Sequence, residues 1–100
     1  MVNDGSLSGR AAMVTGASQG LGLAVAKTFA QAGAELVICA RNGKKLAEAR
    51  EEIANAGQVA GRRILAIATD VSRPDEVTAL VERARHEFPH LSVLVNNAGV

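Results

Sequence analysis

The sequence predicts an α/β protein built on a doubly wound parallel sheet, and three observations lead to this prediction. Four short apolar runs alternate with three stretches in which apolar residues recur at helical spacing, the pattern of strands joined by crossover helices. A turn with three glycines follows the first apolar run. The core has to be built from aliphatic side chains, because 48% of the residues are hydrophobic and only 2% are aromatic. Aliphatic cores are typical of parallel strands covered by helices on both faces.

The four apolar runs predict four strands, and the stretches between them predict three helices. The predicted strands are Ala11–Thr15, Glu35–Ala40, Ile64–Thr69 and Ser92–Asn96. The predicted helices are Gly20–Ala32, Lys44–Ala56 and Pro74–Phe88. Right-handed crossovers arrange this βαβαβαβ unit in the strand order 3-2-1-4. One hundred residues suit a single domain,.

Each predicted helix has an apolar stripe and a recognisable end. The stripes are Leu21, Val25 and Phe29 in the first helix, Leu46, Ala49, Ile53 and Ala56 in the second, and Val77, Leu80, Val81, Ala84 and Phe88 in the third. Gly33 and Gly57 mark the ends of the first two helices, since glycine is favoured where a helix stops,. The third is predicted to begin at Ser72, with Asp75 three residues on, and to stop at Pro89,.

Composition limits the classes of function. The net charge is +1 and the charged residues are mixed, so we expect no nucleic-acid partner,. Cys39 is the only cysteine and lies in an apolar run, which predicts a buried structural thiol and a reducing cytoplasm,. The first residues lack the pattern of a signal peptide, and no segment is long enough to span a bilayer, so we expect a cytoplasmic protein without membrane contact,. No metal site is expected from the spacing of the His, Cys, Asp and Glu residues,.

Polar or glycine-rich segments follow all four predicted strands. They are Gly16–Gly22, Arg41, Asp70 and Asn96–Gly99. Because the carboxyl ends of parallel strands share one edge of the sheet, these segments converge where strand order reverses, the place where such sheets bind ligands. The glycines let the turn approach a pyrophosphate, and the positive end of the next helix points there. A Walker loop is excluded because Leu23 and Ala24 follow Gly22,. A turn that binds nothing is the alternative.

The motifs T-G-x-x-x-G-x-G at Thr15–Gly22, Asp70-Val71 and Asn96-Asn97-Ala98-Gly99 together resemble the classical short-chain dehydrogenase/reductase family. Gln19 stands where the extended branch of that family has its middle glycine. The resemblance covers nearly the whole chain. It implies a Rossmann-type fold, a nicotinamide dinucleotide cofactor, hydride transfer with a small alcohol or carbonyl substrate, and a homo-oligomeric complete protein.

The resemblance also implies the roles of individual residues. The glycine-loop residues expected to line the cofactor are Gly16, Ser18, Gln19, Gly20, Leu21 and Gly22. Asp70 is expected to accept a hydrogen bond from the adenine amine while Val71 packs on the ring, although a plain strand-end turn is the alternative,. The residues expected to contact the ribose are Asn97, Ala98 and Gly99. Asn96 is expected to support the sheet.

The residues after the second strand, Ala40-Arg41-Asn42, predict NADP rather than NAD. An acidic residue there would bond the free 2′-hydroxyl of NAD, whereas Arg41 can make paired bonds to a 2′-phosphate. A solvated surface arginine is the alternative. We expect Lys44 and Lys45 to be an exposed helix start and no binding patch. His86 and His90 are not expected to be catalytic.

The catalytic residues of the resembled family, a serine, a Tyr-x-x-x-Lys pair and an asparagine, lie beyond its Asn-Asn-Ala-Gly segment. This chain contains no tyrosine. We therefore expect residues 1–100 to be the amino-terminal NADP-binding part of a Rossmann domain, truncated before the catalytic segment, and inactive alone. The apolar run at Leu91–Val95 lacks the charges or proline that protect a sheet edge, which favours truncation,. The alternative is a free-standing nucleotide-binding module or an inactive gene fragment.

Overall fold

The computed structural model describes residues 6–57 and 63–97. The strands in these ranges are β1 (Ala11–Thr15), β2 (Glu35–Ala40), β3 (Ile64–Ala68) and β4 (Leu91–Val95). The helices are α1 (Gly20–Gln31), α2 (Gly43–Gly57) and α3 (Pro74–Glu87). All seven predicted elements are confirmed, and no boundary differs from its prediction by more than about one residue,.

The four strands form one parallel sheet in the order β3-β2-β1-β4, which confirms the predicted topology. Val14 of β1 lies opposite Ile38 of β2 on one side and Val95 of β4 on the other. All five residues of β1 are buried because β1 has a neighbouring strand on each side and helices above and below. The carboxyl ends of β1 and β4 are therefore adjacent, at the point where the strand order reverses,.

Alternate residues of the strands point into two separate apolar layers, as the two-residue period of a strand requires. The layer under α1 and α2 contains Ala12, Val14, Leu36, Ile38 and Ile64 from the sheet. The layer under α3 contains Ala11, Met13, Val37 and Cys39 from the sheet. Because both faces of the central strands are covered, residues 11–14 of β1 and 36–40 of β2 are continuous apolar runs, as predicted for a parallel sheet,.

The predicted stripe of α1 is correct in part: Val25 and Phe29 are half-buried and pack against the core, but they are not the most buried residues of the helix. The helix buries Gly22, Ala26 and Ala30, one residue further along than expected. Leu21 is 70% exposed, although it was expected to face the core. Small side chains let the helix backbone approach the sheet closely, and that orientation turns Leu21 towards the carboxyl edge of the sheet.

Ser72 does not begin α3 as expected, although the helix starts at Pro74, the first residue of its predicted range. The residue before the first helical turn is Arg73, with Pro74 following, and no side-chain hydrogen bond caps this end,. Ser72 instead donates its hydroxyl to Asp70 Oδ1 at 2.6 Å. The buried stripe of α3 agrees with the prediction at Leu80 and Ala84, while Val81 is 39% exposed.

Candidate functional site

An open cavity of about 960 Å³ lies at the carboxyl edge of the sheet. This volume is in the range of small-molecule and cofactor sites. Nine of the residues predicted to bind a ligand line it: Gly16, Ser18, Gln19, Gly20, Leu21, Arg41, Asp70, Val71 and Asn97. The structure thus brings the segments after all four strands to one place.

Three predicted residues do not line the cavity as the structure describes it. Gly22 is buried behind the glycine turn and is absent from the cavity wall. The position of Gly22 therefore favours a packing role over a contact with a ligand. Ala98 and Gly99 lie outside the described residues.

The turn between β1 and α1 forms one wall. Gly16 and Gly20 have φ angles of 63° and 59°, a region of backbone conformation that favours glycine,. Within this turn Gln19 precedes α1 without making a side-chain cap, and no acidic residue lies in the first helical turn. The amide groups at the start of α1 thus have no acidic side chain of that turn to offset their positive end, which suits an anionic ligand.

Gly22, in the first turn of α1, allows the helix to pack closely against the glycine turn. A Cβ atom at Gly22 would lie 2.9 Å from the Gly16 carbonyl carbon and 2.8 Å from Asn97 Nδ2. Cβ atoms in proteins do not approach heavy atoms of residues outside their own chain neighbours this closely. The third glycine of the motif is therefore required by packing between the turn and the helix.

Hydrogen bonds at Thr15 join the ends of β1 and β4. Thr15 Oγ1 accepts a hydrogen bond from the backbone N–H of Asn97 at 2.8 Å and can donate one to the side-chain oxygen Oδ1 of Asn96 at 3.1 Å. Asn97 Nδ2 lies 3.5 Å from the Gly16 carbonyl oxygen. Asn96 thus supports the sheet as expected, while Asn97 both lines the cavity and holds the glycine turn.

The wall after β2 contains more polar groups than the sequence indicated. Asn42 Oδ1 accepts the Lys45 amide N–H at 3.0 Å and so caps α2,. Both residues line the cavity together with Ala40 and Arg41. Lys45 is exposed, as expected of a helix start, but it also faces the site. An asparagine just before a helix was the available signal for the cap, whereas the direction of the lysine depends on the position of α2.

The wall after β3 is organised around Asp70. Its Oδ1 accepts the backbone N–H and the hydroxyl of Ser72 at 3.0 and 2.6 Å, and its own N–H donates to Glu76 Oε1 at 2.8 Å. The bonds from the Ser72 hydroxyl and backbone, with a smaller effect of Arg41 and Arg73, lower the pKa of Asp70 below its usual value,. Asp70 is therefore a carboxylate at neutral pH. Its bonds with Ser72 form a turn at the end of β3, so the strand-end turn that was the alternative interpretation of Asp70 is present in the structure.

Cys39 lies at the floor of the cavity and is buried, as predicted. Burial raises the pKa of its thiol to about 11, and a hydrogen bond from the Gly16 backbone offsets only part of this effect,. The thiol is protonated at neutral pH and is a poor nucleophile. Its contribution is packing beneath the glycine turn.

The fold and the site together define a class of protein. A parallel sheet in this order, with a close glycine turn between β1 and a helix and an open crevice at the switch point, is the architecture of dinucleotide-binding α/β domains. Among the described residues no three His, Cys, Asp or Glu side chains are grouped in a way that suits a metal ion. In the same part of the chain, no helix has the length and apolar character to cross a membrane.

Comparison with known proteins identifies the family. The model of the short chain dehydrogenase family matches residues 10–100. The chain belongs to this family of oxidoreductases, which confirms the resemblance seen in the motifs. It is 45% identical over 91 residues to cis-4-hydroxycyclohexanecarboxylate dehydrogenase of Sinomonas cyclohexanicum, covering 91% of this chain and 34% of that protein.

Solved structures agree with this membership. L-Sorbose reductase from Gluconobacter frateurii, complexed with NADPH and L-sorbose, superimposes with a TM-score of 0.86 and 42% identity, over 97% of this chain and 36% of that one. A metagenomic short-chain oxidoreductase in complex with NADP gives a TM-score of 0.84 and 40% identity, over 95% and 41% of the two chains. The chain spans about a third of the length of the curated relatives that it matches.

Proposed function

We propose that residues 1–100 are the amino-terminal, NADP(H)-binding part of an oxidoreductase that transfers hydride between a nicotinamide cofactor and an alcohol or carbonyl substrate. The observation that carries this proposal is the cavity at the carboxyl edge, in which the glycine turn and Arg41 line the same space. Relatives whose structures hold NADPH or NADP support it.

The residues present fit such a cofactor. The turn at Gly16–Gly20 has the backbone conformation and the anion-favouring helix end that a pyrophosphate needs,. Ser18 and Gln19 are proposed to hold the phosphates, Leu21 to lie near the nicotinamide end, and Asp70 with Val71 to hold the adenine. The residues proposed at the ribose are Asn97, Ala98 and Gly99. When bound, the nicotinamide supplies the hydride acceptor or donor at C4.

The exposed apolar surface of Leu21 and Val71 supports these roles. Leu21 is 70% exposed and Val71 is 41% exposed, and both line the cavity. Large apolar side chains leave so much surface in water at a cost, which a flat aromatic ring system would remove by covering them. The nicotinamide and adenine rings are aromatic groups of this kind.

A preference for NADP over NAD is proposed from the end of β2. Ala40 is small and neutral, and Arg41 is exposed at the cavity wall. The guanidinium can bond a 2′-phosphate through two N–H groups, whereas NAD offers it only a hydroxyl.

Proton transfer is proposed to depend on residues outside this sequence. The 100 residues contain no tyrosine, the general acid and base of the resembled family,. The relatives are about three times longer, which leaves room for that group. The present residues would bind the cofactor and orient it.

The function is tested by cofactor titration and turnover of the full-length gene product. We expect it to bind NADPH about ten- to a hundredfold more tightly than NADH, the ratio set by one or two charge-assisted bonds. Ala40→Asp combined with Arg41→Ile should reverse the order. Wild-type preference for NADH, or an unchanged ratio in the double variant, would contradict the cofactor assignment.

The purified 100-residue chain should consume no NADPH above a blank with a panel of aldehydes, ketones and diketones, because it has no proton donor of the family type. Turnover by these residues alone would overturn the division of roles. A reading frame that ends at codon 100, together with NADPH binding, would instead favour a free-standing nucleotide-binding module.

A further inference from the structure

We infer that Lys45 is a second cation for the 2′-phosphate of the cofactor, acting beside Arg41 and strengthening the choice of NADP. This inference rests on the proposed function. It assigns a binding role to a residue that the sequence alone indicated to be part of an exposed helix start.

The position of Lys45 is set by the cap of α2. Its backbone N–H donates to Asn42 Oδ1 at 3.0 Å, and the Leu46 N–H donates to the Asn42 carbonyl oxygen at 3.0 Å. These bonds hold Lys45 in the first turn of α2, four residues after Arg41. Lys45 lines the cavity, whereas its neighbour Lys44 does not. The two adjacent lysines are therefore not equivalent, because successive residues of a helix point about 100° apart.

The charges of the cavity wall are unequal. Among the described lining residues, Arg41 and Lys45 are cationic and Asp70 is the one acidic side chain. Asp70 Oδ1 is already engaged by two hydrogen bonds from Ser72. The wall after β2 thus presents two positive charges, and the one carboxylate among the described lining residues follows the adjacent strand β3.

Within the described residues, neither cation of this wall forms an ion pair with a carboxylate. The basic residues that form ion pairs with a carboxylate within residues 6–57 and 63–97 are Lys27, Arg50, Arg63, Arg73 and His90. In the same ranges Arg41 and Lys45 differ from the other basic residues without an ion pair in that they line the cavity; those others are Arg10, Lys44, Arg83, Arg85 and His86. Two cations at one cavity wall, neither within ion-pair distance of a carboxylate, suit a dianion, and a phosphate monoester carries about −1.5 to −2 charges at pH 7,.

The two side chains would have different tasks. The planar guanidinium of Arg41 matches two phosphate oxygens at once, while the ammonium of Lys45 acts as a mobile point charge on a flexible stem. Lys45 should therefore add affinity for the phosphate that depends strongly on salt, with little effect on a cofactor that has a hydroxyl in its place.

The test compares Lys45→Ala with Lys44→Ala in the full-length gene product, and Arg41→Ala is measured alongside. Dissociation constants for NADPH and NADH are determined at low and high salt. We expect Lys45→Ala to weaken NADPH binding about three- to tenfold at low salt. NADH binding should change by less than about twofold, as should both affinities in Lys44→Ala. Lys45→Arg should retain most of the NADPH affinity.

A second measurement uses the unmodified protein. An amine-reactive reagent is applied with NADPH, with NADH or without cofactor, and labelling of each lysine is read by mass spectrometry. NADPH should protect Lys45 more than NADH does, and Lys44 should be protected by neither.

The outcomes separate this inference from the proposed function. Equal effects of Lys45→Ala and Lys44→Ala, or equal protection of Lys45 by both cofactors, would overturn the role of Lys45 even if Arg41→Ala abolished the NADP preference. If the wild type prefers NADH and Arg41→Ala leaves the ratio unchanged, no phosphate is bound at this wall. The cofactor assignment and the role of Lys45 would then both fail.

Discussion

At the scale of single residues, Gly22 determines how closely the glycine turn and α1 can approach each other. It lies behind the cavity wall, and any side chain there would meet the Gly16 carbonyl group and the Asn97 amide. The three glycines of the motif therefore differ in their physical reason. Gly16 and Gly20 provide positive φ angles, whereas Gly22 provides space.

Gly22→Ala should lower the free energy of unfolding by about 3 kcal/mol or more, because the atom that a new Cβ meets is rigid backbone,. Gly20→Ala should cost about 1–2 kcal/mol, since its surroundings are open and only the φ angle is unfavourable,. Gly43→Ala serves as the control. Its Cβ would make an ordinary contact with Ala68 at 3.6 Å, so the stability should hardly change. Denaturant titrations that rank Gly22→Ala with Gly43→Ala would refute this account of the motif.

At the scale of elements, the start of α3 stabilises the cavity wall that precedes it. Glu76 lies in the first turn of α3, where its Oε1 accepts the Asp70 N–H at 2.8 Å and its Oε2 lies 3.3 Å from Arg73 Nε. The carboxylate thus bridges the loop that carries Asp70 and Ser72. A negative charge here is also favoured by the positive end of the helix.

Glu76→Ala should release the Asp70 amide and cost about 1 kcal/mol of stability, the usual value of one such hydrogen bond,. Hydrogen exchange of the Asp70 N–H should become faster, while amides of β1 keep their protection. Glu76→Gln retains the acceptor oxygen and should restore most of the protection. Asp75→Asn, in the same turn, removes a charge without touching the Asp70 amide. Unchanged exchange at Asp70 in Glu76→Ala would show that the loop is held by Ser72 alone.

At the scale of the whole molecule, β4 is the least covered strand. It pairs with β1, and its residues alternate between half-buried and exposed. Val93 and Val95 pack against the layer under α1 and α2. Leu94 points to the other face and is 65% exposed. In a longer protein, as proposed above, further elements would cover this residue.

Leu94→Lys should raise the solubility of the 100-residue chain and reduce its self-association and binding of apolar dyes, with a change in stability of less than about 0.5 kcal/mol. Val93→Lys is the matched variant, and it should destabilise the chain because a charge would enter a partly buried layer,. In the full-length gene product Leu94→Lys should instead be destabilising. Light scattering and thermal unfolding measure both effects. A monomeric wild-type chain that unfolds cooperatively, with no gain from Leu94→Lys, would argue that the sheet needs no further cover.

Much of this structure was determined by local features of the sequence. The strands and helices follow from apolar runs, helical spacing and glycine stops, and the 3-2-1-4 order follows from the handedness of the crossovers,. Nine of the twelve predicted site residues line one cavity because each directly follows or lies near the end of a parallel strand. These features depend on short segments and on general rules of chain geometry.

Only the tertiary structure decided how side chains on neighbouring stripes are used. In α1 the fully buried stripe lies one residue beyond the predicted one, a rotation of about 100°, and the predicted residues Val25 and Phe29 are half-buried against the same layer,. Which one is buried depends on how closely the backbone can approach the sheet, and small side chains at Ala26 and Ala30 decided it. Ser72 bonds Asp70 and does not cap α3, and Lys45 faces the cavity while Lys44 does not. Each of these outcomes depends on a surface contributed by a distant part of the chain, and such surfaces have no local pattern in the sequence.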